Sequence, residues 1–225
     1  MLVPAMRIVS LVLVLTLLAA VVYLASTLIR GPSPAEAARI AAVLEDPAPA
    51  GEPDSYAHCA SCHLHDGSGR PDGSIPRLAG QRKSVLENKL YRLRAGMMRL
   101  PVMDPFARSL EAQEIPEIAG YLSTMPVRDA PPRDTSEAEQ AHAASLFAQH
   151  CASCHGANAE GSDGLFASRL CGQYAGYLNR RLDEAQTRTR GDADAIMQGV
   201  VAGVPDGDLR LIVAWLSGGN GCTSP

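Results

Sequence analysis

Cys151-Ala152-Ser153-Cys154-His155 is the stretch on which the reading of this chain turns, and the same five residues stand earlier as Cys59-Ala60-Ser61-Cys62-His63. Two thiols separated by two residues and followed at once by an imidazole form the signature of covalent haem attachment. The thiols become thioethers to the porphyrin and the adjacent histidine becomes the proximal iron ligand. A tetrahedral zinc site would need further Cys or His at paired spacing. The six histidines lie at 58, 63, 65, 142, 150 and 155 and supply no such pairs. Two copies therefore predict two covalently bound haem c groups. Cys59 and Cys62 would hold the first and Cys151 and Cys154 the second, with His63 and His155 as the proximal ligands.

The composition fits that reading. Aromatic residues make up 4% of the 225 residues, with Trp215 the single tryptophan, so neither half carries the bulky side chains a small domain normally packs at its centre. A porphyrin surrounded by Leu, Val, Ile and Ala would fill that place. The formal net charge of −4 gives no case for a nucleic-acid partner. Six cysteines in a haem-attaching chain imply an oxidising compartment outside the cytoplasm.

Ile8 to Ile29 is a run of twenty-two uncharged residues between Arg7 and Arg30. It is long enough to span a bilayer as a helix and longer than the apolar core of a typical signal peptide. Residues 1–31 are therefore read as an N-terminal transmembrane anchor in the bacterial cytoplasmic membrane, with the rest of the chain facing the periplasm. The alternative is a signal cleaved near Ala35-Glu36-Ala37, leaving a soluble periplasmic protein. Residues 32–53 read as a short helix, capped by Ser33-Pro34-Ala35-Glu36, and a linker rich in proline. A second linker, residues 129–137, separates two segments of similar size, 54–128 and 138–225. Ser136 and Glu139 predict a capping box for a helix running into Cys151, with Ala144 and Phe147 on its buried side.

An internal repeat joins the two segments. At an offset of 92, Arg77-Leu78-Ala79-Gly80-Gln81 aligns with Arg169-Leu170-Cys171-Gly172-Gln173. After a two-residue insertion the offset becomes 94, so that Met103 meets Met197 and Tyr121 meets Trp215. The two segments are copies of one unit.

On these motifs the chain resembles the class I cytochromes c, most closely the two-domain di-haem type known as cytochrome c-four. The resemblance covers roughly residues 54 to 225 and rests on both C-x-x-C-H motifs, both Leu-x-Gly-Gln segments, and Met103 and Met197 ahead of a terminal helix. It implies an all-α fold in which two tandem domains each wrap one haem, here preceded by the transmembrane helix. It also implies periplasmic electron transfer, often toward a terminal oxidase. The carbonyls of Pro76 and Ser168 would accept the Nδ1 protons of His63 and His155, and Leu78 and Leu170 would pack under the proximal faces. Three departures mark the first domain as the less regular copy. Ser55 stands where Phe147 precedes the second motif by four residues. Leu64 stands where Gly156 follows His155. Pro116 must occupy the first turn of its helix or break it.

The distal ligand of the second haem follows by elimination, because Met197 is the only methionine after His155 and no histidine follows. In the first half Met97, Met98, Met103, Met125 and His65 compete, and the repeat register selects Met103. A thioether opposite imidazole raises the reduction potential, which suits a carrier of electrons toward an oxidant. His58, His65, His142 and His150 read as solvent-facing or locally bonded. Cys171 and Cys222, the thiols left over, are expected to form a disulfide. Arg82, Lys83, Lys89, Arg92, Arg94 and Arg99 crowd one segment against Glu87 alone. That run reads as a solvated face, a contact for haem propionates or a dock for an acidic partner.

The leading function is a membrane-tethered di-haem carrier without catalytic residues, passing electrons between redox protein donors and acceptors such as a quinol-oxidising complex and a terminal oxidase. Two alternatives stay open: a di-haem enzyme of the thiosulfate dehydrogenase or peroxidase kind, and a cytochrome subunit of a larger complex.

Overall fold

The computed structural model describes residues 51–127, 135–187 and 192–218. The expected membrane anchor, the helix after Ser33, most of the second linker and Cys222 lie outside the described residues. No helix among the described residues is long and apolar enough to cross a membrane.

Regular structure is helical, apart from an isolated antiparallel bridge between Ser162 and Ala167. The first lobe opens with a 3-10 turn at Asp54–Tyr56, followed by α1 (Ala57–His63), α2 (Lys83–Arg94), α3 (Asp104–Ser109) and α4 (Glu114–Thr124). The second lobe contains α5 (Glu137–His150), α6 (Ala152–His155), α7 (Ala175–Thr187), α8 (Asp192–Val201) and α9 (Asp206–Ser217). In the first lobe α4 packs across α2, and in the second α9 packs across α5 and α7. Both lobes belong to one compact unit that begins at Ala48.

The capping box forms as the sequence predicts. Ser136 Oγ accepts from the Glu139 amide at 3.3 Å, and the Glu139 carboxylate accepts from the Ser136 amide at 2.8 Å. The Ser136 hydroxyl, which lies 2.7 Å from the same carboxylate, and then the Ser136 amide hold the Glu139 carboxyl below its ordinary range. Pro116 is the third residue of α4, inside the first turn, where its missing N–H costs no hydrogen bond.

Each lobe is centred on one aromatic pair. Phe147 and Trp215 meet with ring centroids 5.2 Å apart, and Tyr56 and Tyr121 meet at 5.3 Å. Tyr56, and not Ser55, is therefore the counterpart of Phe147. The 3-10 turn ahead of α1 shifts the aromatic by one position and so turns it inward, while Ser55 Oγ is buried without a hydrogen-bond partner among the described residues. The two phenols also do what Phe147 cannot. Tyr56 donates to the Leu64 carbonyl at 2.9 Å and Tyr121 to the His65 carbonyl at 2.6 Å, pinning the chain just after the first haem motif. Burial pushes Tyr56 far above the ordinary phenol range and Tyr121 up to about 12, so both remain donors.

The loops after the two motifs repeat in detail. Positive φ occurs at 64 and 156, 67 and 159, 69 and 161, and 80 and 172, each pair 92 residues apart. Gly69 N–H bonds the His63 carbonyl as Gly161 N–H bonds that of His155. Gly80 N–H reaches the Leu122 carbonyl as Gly172 N–H reaches that of Leu216, fastening each loop to its terminal helix. A Cβ on Gly80 would lie 2.3 Å from one methyl of Val127, and a Cβ on Gly172 would lie 2.9 Å from the other. Val127, two residues ahead of the linker, thus sits between two equivalent glycines of the two lobes.

At the edge of the seam, Arg82 Nη1 pairs with Asp163 at 2.6 Å and its Nε donates to the Glu160 carbonyl at 2.9 Å. The basic segment is therefore not simply a solvated face: Arg82 ties the lobes together, and Arg94 and Arg99 bond the Leu110 carbonyl and Asp104.

Two outcomes follow from these contacts. Leu64 is held at φ 64° and ψ 161°, a conformation that glycine adopts and leucine resists at a cost on the order of 1–3 kcal/mol. Leu64→Gly should therefore stabilise the haem-loaded protein by about 1 kcal/mol, after the lost burial and the greater freedom of unfolded glycine, as read from urea midpoints. The Asp163 carboxyl is held below its ordinary value of 3.8 by the Ser84 hydroxyl and then by Arg82. A depressed folded pKa means that its contribution is complete above that value and disappears as pH falls through the lower one. Asp163→Asn should flatten the acid limb of stability below about pH 4, measured as urea midpoint against pH.

Candidate haem sites

α1 ends on His63 and α6 on His155, so each imidazole leaves the last turn of a helix and enters the interior, 5% and 9% exposed. His63 Nδ1 lies 3.1 Å from the Pro76 carbonyl and His155 Nδ1 lies 2.8 Å from that of Ser168, each thirteen residues downstream. A carbonyl can only accept, so the proton is on Nδ1 and the lone pair is on Nε2, the tautomer an iron ligand requires. Burial lowers both imidazole pKa values, against the opposing effect of the carbonyl bonds, and Lys89 of the first lobe lowers that of His155 further. Both rings are thereby kept neutral.

The thiols of Cys59, Cys62, Cys151 and Cys154 are free and half-buried. Burial raises Cys59 and Cys151 to about 11. Leu78 packs against the first aromatic core and Leu170 against the second. Among the described residues no three His, Cys, Asp or Glu side chains gather as an ordinary metal site. The donor set fits covalent haem, with two thiols and one Nε2 in each lobe. At the seam the buried Nε of Arg169 has no hydrogen-bond partner among the described residues, a donor suited to a propionate carboxylate.

Met103 caps α3 and is half-buried against Leu93, Met98 and Ala107. Met197 lies within α8, half-buried against Ala185, Val201, Val204 and Leu209. Each stands eighteen residues before its core aromatic, from 103 to 121 and from 197 to 215, and each belongs to a small cluster separate from the aromatic core. Of the competing methionines, Met97 is 67% exposed and Met98 is a core residue at 8%. His65 bonds Glu52 at 2.7 Å, while His58 and His142 are exposed. Cys171 is buried and disulfide-bonded; Cys222, its expected partner, lies outside the described residues.

Two residues acquire a role that the motif reading did not assign. Gln173 Oε1 accepts from the Arg77 amide at 3.0 Å and its Nε2 donates to the Arg77 carbonyl at 2.9 Å. Gln81 does the same to Arg169, at 2.8 and 3.0 Å. The signal available in sequence was their identical place, eighteen residues after each motif histidine, from 63 to 81 and from 155 to 173. Tyr174 adds a hydrogen bond to the Ser68 carbonyl at 2.8 Å and lies under the Arg77 guanidinium at 4.8 Å.

Comparison with known proteins agrees with this geometry. The family model described as cytochrome c matches residues 140–219. The chain is 29% identical over 168 residues to the thiosulfate dehydrogenase electron acceptor of Stutzerimonas stutzeri, covering 71% of this chain and 77% of that one. It is similar in structure to reduced cytochrome c4 from Pseudomonas stutzeri, with a TM-score of 0.62, 27% identity, and coverage of 76% of this chain and 98% of that one. With cytochrome c-552 of Acidithiobacillus ferridurans it shares 30% identity over 174 residues, 71% of this chain and 72% of that one, and on this likeness and the paired haem-attachment sites the chain belongs to the cytochrome c family, as a class I member.

Proposed function

We propose that this chain is a membrane-tethered di-haem electron carrier on the periplasmic side, with one haem bound through Cys59, Cys62, His63 and Met103 and the other through Cys151, Cys154, His155 and Met197. The chain carries electrons and is not itself an enzyme. The observation that carries the proposal is the repeated histidine geometry: two buried neutral imidazoles, each with Nδ1 held by a loop carbonyl and Nε2 left for iron. Bound through an imidazole and a thioether, a haem would supply a one-electron couple of raised potential. The chain's own part is to hold the imidazole in one tautomer, to keep the iron face dry with Leu78 and Leu170, and to set the two lobes at a fixed spacing through the seam.

The relative from Stutzerimonas stutzeri supports a thiosulfate-oxidising dehydrogenase as donor, and an oxidant such as a terminal oxidase is the matching acceptor. Ile8–Ile29 is the tether, and a bridge from Cys171 to Cys222 closes the second lobe.

Ferric protein should show sulfur-ligated low-spin absorption from two haems. Met197→Ala and Met103→Ala should each abolish it at one haem while both haems remain attached, and should open that iron to cyanide. Met97→Ala should change neither spectrum nor stability, whereas Met98→Ala should leave the spectrum intact and cost about 2 kcal/mol or more in unfolding free energy. Rapid cyanide binding by the unmodified protein would overturn the reading. For the tether, the mature protein should stay with membranes after a high-salt wash. Mass spectrometry showing a soluble product that starts near Ala38 would exclude it.

A further inference from the structure

We propose that Gln81 and Gln173 are positioning residues that tune the haem of the opposite lobe, each through a single peptide group. The inference rests on His63 and His155 being proximal ligands. One peptide joins Pro76 to Arg77. Its carbonyl accepts from His63 Nδ1 at 3.1 Å, and its N–H donates to Gln173 Oε1 at 3.0 Å. The peptide joining Ser168 to Arg169 stands in the same relation to His155, at 2.8 Å, and to Gln81, at 2.8 Å. Two chains of hydrogen bonds therefore cross the seam in opposite directions, each running from a glutamine of one lobe to the histidine of the other.

The glutamine amides cannot be turned over without breaking the pattern. Each Nε2 donates to the carbonyl of the opposite arginine. Each Oε1 also accepts from the amide that follows it, Arg82 at 3.0 Å and Tyr174 at 3.1 Å. An acceptor placed on a peptide N–H polarises that peptide, so its carbonyl becomes a stronger acceptor in turn. A stronger acceptor at Nδ1–H makes the imidazole a better donor to its metal. More donation favours ferric iron, so docking of each lobe lowers the potential of the haem in the other.

The test uses full-length haem-loaded protein, with potentials of the two haems assigned separately by their paramagnetically shifted NMR signals. Gln173→Leu should raise the potential of the haem on His63, changing its ferric-to-ferrous equilibrium by roughly threefold to tenfold, about 30 to 60 mV for one electron, and should move the haem on His155 less. Gln81→Leu should act in the same way on the haem of His155. Gln173→Glu, which keeps an acceptor oxygen available to the Arg77 amide, should move the His63 haem in the opposite direction to Gln173→Leu and serves if the leucine variant fails to fold. Arg82→Ala, which removes the side-chain bonds to Asp163 and Glu160 at the edge of the seam and keeps the Arg82 amide on Gln81, should shift neither haem by as much. The inference is overturned if each glutamine variant acts chiefly on the haem of its own lobe, if Arg82→Ala matches the glutamine variants, or if no potential moves. A failure of the ligand assignment itself would show first in the absorption spectrum of the unmodified protein.

Discussion

The hydrogen bond from each motif histidine to the carbonyl thirteen residues downstream is the constraint on which the rest of the molecule depends. It closes a loop whose two ends must meet within about 3 Å, and that closure dictates a tight path with repeated left-handed turns. Once the loop is closed, the Leu-x-Gly-Gln segment that follows has one place to go. Its leucine packs on the aromatic core, its glycine reaches the terminal helix, and its glutamine points out of the lobe. The proposed haem ligation and the association of the lobes therefore depend on a single backbone segment.

Duplication then turns one outward-pointing glutamine into a pair that satisfies itself. A surface that offers an amide side chain beside an exposed peptide is self-complementary under a two-fold relation, as in the interface of a symmetric dimer. Here the two copies are in one chain, and the relation survives as Gln81 to Arg169 and Gln173 to Arg77. Symmetry fails toward the edges. Arg82 meets Asp163 and Glu160 on one side, and Arg180 reaches the Gly73 carbonyl at 2.6 Å on the other. The centre of the seam is set by the repeated fold, and the edges are set by residues that differ between the copies.

Much of this was legible in the sequence, for physical reasons that can be named. The two C-x-x-C-H motifs at the ends of short helices and the capping box at Ser136 are local patterns whose chemistry acts within a few residues. The Pro76 and Ser168 carbonyls could be placed by resemblance, since a backbone acceptor does not depend on its side chain. Tyr56 was not legible as the partner of Tyr121, because a 3-10 turn shifts register by one and a fixed offset points to Ser55 instead. The glutamines were visible only as motif markers. Their partners lie 88 and 96 residues away, and helical or strand periodicity carries no information at that separation. Arg82 shows the opposite difficulty: a charge among charges looks solvated until the fold brings Asp163 to it.

Unequal surroundings of the two motifs have a further meaning for the carrier proposed above. The ligand sets proposed for the two lobes are alike, so a difference in potential between them would have to come from the protein around them. The first lobe differs from the second close to its motif. Leu64 stands at a strained turn where the second lobe has Gly156, and the phenols of Tyr56 and Tyr121 bond the consecutive carbonyls of Leu64 and His65, whereas the pair Phe147 and Trp215 has no hydroxyl to offer. A direction for electron flow within one chain requires inequality of this kind, and packing of this sort would supply it with no change in the ligands themselves.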